Sequence, residues 1–204
     1  MGSIPADLGR LTHLRVLDLG HNRLSGTIPS AIGNLTRIQV LVLHYNRITG
    51  HLIQELENLH DLRYISFVKN DLSGHIPENL FNNTPLLTHI NFGNNSLSGT
   101  KPNCISSLSK LEYLALQVNQ LTGPVPPSIF NKSRLQQIVL YGNYKITGPI
   151  PDNISFSLPM LRLIDLHQNS FKGQTPIWTC SMSIPKRNQY GCQFILWCFA
   201  NMVS

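Results

Sequence analysis

Eight histidines, ten carboxylates and four cysteines are the side chains in these 204 residues equipped for acid–base, metal or nucleophilic chemistry. Such chemistry needs them to converge, and their spacing disperses them. His21, His44, His89 and His167 fall on strand positions of one recurring apolar frame, so periodicity places them on a surface. Asp18 and Asp165 occupy the same position of that frame six units apart, too far to act as a carboxylate pair. No Cys-x-x-Cys, His-Glu-x-x-His, Gly-x-Ser-x-Gly, phosphate-binding glycine loop or kinase signature occurs. The expectation is a protein without catalytic residues, metal or cofactor. A net charge of +6 raises nucleic acid as a partner, but Lys and Arg are scattered and no basic run exceeds Lys186-Arg187. A stripe that tracks phosphates is therefore not expected.

The frame itself is the strongest feature. Thirty Leu, nineteen Ile and nineteen Asn fill a third of the chain, and only 13% of residues are charged. Asparagines that follow an alternating apolar pair stand at Asn22, Asn46, Asn70, Asn95, Asn119, Asn143 and Asn169, at intervals of 24, 24, 25, 24, 24 and 26. A fixed period of this length is the mark of a solenoid, in which each unit cannot bury its apolar face alone. The alternation in Leu14, Leu17, Leu19 and its counterparts predicts a short strand with one buried face, and the rest of each unit must return within about a dozen residues. Seven strands at roughly 4.8 Å make a parallel sheet about 30 Å long. Each Asn amide is expected to satisfy backbone groups at the bend, within its own coil and the next.

The segment after the asparagine completes the frame. Leu24-Ser25-Gly26-Thr27-Ile28-Pro29, Leu72-Ser73-Gly74-His75-Ile76-Pro77, Leu121-Thr122-Gly123-Pro124-Val125-Pro126 and Ile146-Thr147-Gly148-Pro149-Ile150-Pro151 resemble the plant extracellular type of leucine-rich repeat. The resemblance implies an α/β solenoid of about seven repeats, a right-handed coil with a parallel concave sheet and short 3-10 or extended convex segments. Leu80 to Leu87 and Gln117 to Pro126 are further similar to cereal members of the receptor-kinase group that includes immune receptors. The implied parent is a receptor kinase on the extracellular side of the plasma membrane. Its partners would be a peptide or protein ligand and a co-receptor kinase. The family's Arg-x-Arg grip on a peptide carboxylate is missing. Two other readings stay open: a secreted inhibitor of a cell-wall hydrolase, and a truncated gene product without independent activity.

The organisation follows. Residues 1–13 read as a truncated outer half-repeat, 14–176 as seven repeats and 177–204 as a non-repeat tail with Trp178, Trp197, Cys180, Cys192 and Cys198. This tail reads as foreign rather than as an evolved cap, and no stretch in the chain is long and apolar enough to span a bilayer. Ile4, Leu8 and Leu11 are expected to be exposed at the first coil. Local distortions are expected where Ile53 replaces Pro, where Lys101 takes an apolar position, and where Asn143-Tyr144-Lys145-Ile146 carries one extra residue.

Strand alternation places Tyr64, His89, Tyr113, Gln117 and Tyr141 on the open sheet face, with Tyr45 nearer one end; these six are the candidate ligand-binding residues. Sequons stand at Asn34, Asn82, Asn94, Asn131 and Asn153, of which only Asn94 lies on that face.

Overall fold

The computed structural model describes residues 2–151 and 157–172, so Asn153 and the tail cysteines and tryptophans lie outside the described residues. Within these the chain winds into successive coils that build two parallel sheets, of seven and six short strands. The first sheet runs in strict sequence order: β1 (Val16–Asp18), β3 (Val40–Val42), β5 (Tyr64–Ser66), β7 (His89–Asn91), β9 (Tyr113–Ala115), β11 (Gln137–Val139) and β13 (Leu163–Asp165). Equivalent residues pair across it: Val16 with Val40, Val40 with Tyr64, Tyr64 with His89, His89 with Tyr113, Tyr113 with Gln137, Gln137 with Leu163. This unbroken register follows from the period, because a slip of one residue would turn every inward Leu or Ile outward.

The second sheet was not anticipated from the sequence. β2 (Ser25–Gly26), β4 (Arg47–His51), β6 (Asp71–His75), β8 (Ser96–Thr100), β10 (Gln120–Pro124) and β12 (Lys145–Thr147) are formed by the segment containing Leu-(Ser/Thr)-Gly. Its central Gly26, Gly50, Gly74, Gly99 and Gly123 all take φ between 71° and 80°, a region closed to most L-residues, which is why glycine recurs there. Convex 3-10 turns follow, such as Ser30–Asn34, Asn103–Ser107 and Pro127–Asn131.

Between the two sheets and the turns lies one continuous apolar core. Ile32, Leu35, Ile38, Leu41 and Leu43 repeat as a buried set through Ile129, Leu135, Ile138 and Leu140. Phe67 and Phe92 stack at 5.4 Å, and Phe81 meets Phe92 at 6.4 Å, forming a column of rings through the middle coils.

The asparagines bind the preceding coil rather than the next one. Asn70 Nδ2 donates to Phe67 O in its own coil and to Leu43 O one coil back, while its Oδ1 accepts from Ile48 N–H, each at 3.0 Å. Asn95, Asn119 and Asn143 repeat the arrangement. The reason is geometric: the strand before each Asn ends beside the turn of the previous coil, where one carbonyl and one N–H are left over.

Three expected disturbances resolve differently. Ile53 precedes its turn with φ −81° and ψ 142°, close to the −67° and 140° of Pro29, so an extended isoleucine does what proline does elsewhere. Lys101 leaves β8 five residues long. The extra residue at Tyr144 bulges out at φ 40° just before β12, which keeps the regular stagger against β10. At the first coil Ile4 is 4% exposed and Leu8 is half-buried, contrary to expectation, because a bridge from Ser3 to Ser25 folds the segment over the coil; Leu11 remains 50% exposed.

Lys101 and Lys132 are buried cations that replace apolar contacts with hydrogen bonds. Lys101 Nζ donates to Thr122 O at 3.0 Å and Gly123 O at 3.2 Å, and Lys132 Nζ to Ser106 O and Leu108 O at 2.9 and 2.8 Å. Burial lowers both ammonium groups, Lys101 to about 8. The two carbonyls offset part of the cost of holding that charge away from water. Because the folded Lys101 binds its proton less tightly than the unfolded one, its contribution improves as pH rises from about 8 through 10.5 and is lost below. Lys101→Met removes this dependence. Denaturant melts at pH 7 and pH 10 should show the stability difference between wild type and Lys101→Met shifting toward wild type by about 1 to 3 kcal/mol at the higher pH. A difference independent of pH would show that the ammonium is not desolvated.

Candidate functional site

The outward residues of the seven-stranded sheet form rows along the solenoid, because strand registry places equivalent side chains one above another. One row carries Tyr64, His89 and Tyr113. Tyr64 and His89 rings lie 5.5 Å apart, tilted by 31°, and His89 and Tyr113 stack at 5.8 Å and 18°. These three candidates are thus one continuous column of rings. Burial raises the Tyr113 phenol above its ordinary range, with Tyr64 and then Tyr141 adding smaller pushes in the same direction. Tyr141 therefore faces the same neighbourhood, and its own ring stacks on His167 at 4.6 Å and 7°. Asp165, in register with Val139 and Ala115, holds the His167 imidazole through Nδ1, which explains this aspartate in structural terms.

Gln117 lies across Gly93: a Cβ at Gly93 would stand 2.4 Å from the Gln117 amide carbon, so the missing side chain makes its seat. Its Oε1 is buried and has no hydrogen-bond partner, and the same holds for Ser66 Oγ between Tyr64 and Val68. Along these rows coils three to six carry no Asp, Glu, Lys or Arg, from Tyr64, Ser66 and Val68 to Gln137, Val139 and Tyr141. The face is aromatic, amide-bearing and uncharged in its middle, with aspartates at either end.

Tyr45 is not part of that column. It stacks on His21 at 4.4 Å, meets His44 edge-on at 5.5 Å and holds Lys69 Nζ 4.8 Å above its ring. The sequence reading missed His21, His44 and Lys69 as companions of Tyr45. His21, Tyr45, Lys69, Asn94, Val118 and Gln168 share a left-handed φ of 51° to 56°, which carries their side chains off the strand alternation to the edge of the face. The signal available was their common position just before the ladder asparagine.

Of the sequons, Asn34, Asn82 and Asn131 are exposed on the convex side, whereas Asn94 is half-buried at the edge of the aromatic face. Among the described residues no group of three His, Cys, Asp or Glu could hold a metal ion, and no helix is long and apolar enough to cross a membrane.

Residues 1–175 match the family described as leucine-rich repeat region. The chain belongs to the leucine-rich-repeat family. Solved structures similar to this leucine-rich-repeat chain include plant receptors and a plant ice-binding protein. A TDR receptor superposes with a TM-score of 0.82 at 34% identity, over 86% of this chain and 30% of that one. The plant peptide hormone receptor RGFR1, in complex with RGF2, gives 0.79 at 36%, over 83% and 27%. The Arabidopsis receptor kinase HAESA, in complex with the peptide hormone IDA and the co-receptor SERK1, gives 0.78 at 36%, over 83% and 28%. The leucine-rich-repeat chain thus spans less than a third of the length of each of these receptors. No curated protein sequence matches it significantly.

Proposed function

We propose that this chain is a segment of a plant cell-surface receptor ectodomain whose aromatic sheet face binds a peptide or protein ligand, or a co-receptor. On this reading the parent is a receptor kinase at the plasma membrane, related to the cereal immune group whose phrasing residues 80–87 and 117–126 share, and the segment itself performs no catalysis. The observation that carries the proposal is the ring column Tyr64–His89–Tyr113, which faces outward and contributes nothing to the core. Rigid aromatic side chains with polar tips concentrate binding energy when a partner excludes water from them. Two buried oxygens without partners, Ser66 Oγ and Gln117 Oε1, lie in the same area, and a ligand donor would satisfy the second. An uncharged centre favours a peptide segment recognised through its backbone and apolar side chains.

Peptides selected from a displayed random library against the full chain test the reading. Tyr113→Ala should weaken selected peptides by fivefold or more, about 1 kcal/mol, with smaller losses at Tyr64, His89, Gln117 and Tyr141. Asn131→Gln on the convex side should leave affinity unchanged. Selected peptides insensitive to all five face substitutions would overturn the assignment.

A further inference from the structure

Tyr144, the extra residue, helps to line a cleft beside the second sheet, and we propose that this cleft binds a short carboxylate-bearing saccharide. β12 joins β10 with Lys145 opposite Thr122, the same stagger by which Gln120 of β10 meets Ser98 of β8, so the extra residue leaves the sheet register intact. The chain takes up its extra residue as a bulge just before β12. Tyr144 takes φ 40°, its N–H donates to Gln168 O at 3.0 Å, and its carbonyl accepts from Ser170 Oγ. The backbone is therefore fixed on both sides while the ring stands 66% exposed.

The cleft beside the bulge has a volume of about 340 Å³ and is lined by His75, Ser98, Gln120, Thr122, Tyr144 and Lys145 among others. That volume falls at the small end of ordinary ligand sites. His75, Ser98 and Gln120 form one cross-strand row through the pairs His75–Ser98 and Ser98–Gln120. The imidazole lies against Gly99, where a Cβ would come within 2.2 Å of it, so the glycine makes room for the ring beside the cleft. Hydroxyl, amide and imidazole groups in a row suit a ligand rich in hydroxyls, and an exposed phenol ring supplies a platform for the C–H face of a sugar. Lys145 adds one positive charge, and no carboxylate lines the cleft, so an anionic group is attracted without opposition. This site lies on a different sheet from the aromatic column and does not depend on that column binding a peptide.

The probe is a linear trimer of galacturonic acid, compared with its fully methyl-esterified counterpart, titrated into the full chain and followed by saturation-transfer NMR and thermophoresis. The acid trimer should bind more tightly than the ester, and Tyr144→Ala should weaken both by at least tenfold. Lys145→Gln should reduce acid binding about fivefold and leave the ester unchanged. Deleting Tyr144 removes the bulge, brings Ile146 to the position whose N–H meets the ladder oxygen in other coils, and should abolish binding with no loss of thermal stability. Tyr113→Ala should have no effect. The proposal is overturned if the acid trimer fails to bind, if Tyr144→Ala binds as wild type, or if Lys110→Gln, remote from the cleft, lowers acid affinity as much as Lys145→Gln.

Discussion

Phe92→Ala should lower stability by about 3 to 5 kcal/mol, among the largest effects expected of any single core substitution in this solenoid. Phe92 is fully buried and stacks on Phe67 and Phe81, so removing its ring empties space walled by two rings of the preceding coil. The loss combines the transfer free energy of the side chain with a cavity that the stacked coils cannot close, since the sheet spacing fixes their separation. Phe92→Leu, which fills most of the volume, should cost clearly less. Urea melts followed by circular dichroism measure both; a loss under 1 kcal/mol for Phe92→Ala would show that the ring column is not packed.

The second large effect is expected at the asparagine ladder, and it separates hydrogen bonding from volume. Asn119 Oδ1 accepts from Leu97 N–H at 2.9 Å, and its Nδ2 donates to Phe92 O at 3.0 Å and Leu116 O at 3.1 Å. Asn119→Ala strands these buried groups and should cost about 2 to 4 kcal/mol. Asn119→Asp has the same shape but points a carboxylate oxygen at carbonyls, so at pH 7 it should be at least as damaging. Asn22→Ala, by contrast, removes bonds to Leu19 O and Gly20 O at an exposed position where water replaces the amide, and should cost less than 1 kcal/mol. Equal losses at Asn22 and Asn119, or an Asp variant as stable as wild type, would show that the ladder does not act through its donors.

The ladder also shows what the extra residue at Tyr144 disturbs. In the regular coils the oxygen of each asparagine accepts from the N–H two residues beyond the preceding asparagine, as Leu121 donates to Asn143 and Leu97 to Asn119. For Asn169 the insertion moves that N–H out of place, and its Oδ1 is buried without a partner. The Asn169 amide nitrogen still binds Leu140 O, Leu166 O and His167 O, so the coil holds together by its donors alone.

The sequence by itself determined the solenoid, its strand register and the inward residues, because a period near 24 with a fixed apolar frame leaves one way to bury every Leu and Ile at once. It also determined that Tyr64, His89 and Tyr113 share a row, since strand alternation and equal repeat length together fix relative placement. Tertiary structure alone decided the second sheet, whose strands gain their partners only when glycines at positive φ bring successive coils into contact. It decided that the asparagines reach backward, that Lys101 and Lys132 are buried on carbonyls of neighbouring coils, and that Tyr45 leaves the ring column for His21 and Lys69. Each of these depends on a neighbour some two dozen residues away or on a φ sign that residue type does not specify. Periodic apolar burial is a property of one coil repeated, whereas hydrogen-bond partners and ring contacts are properties of two coils in register.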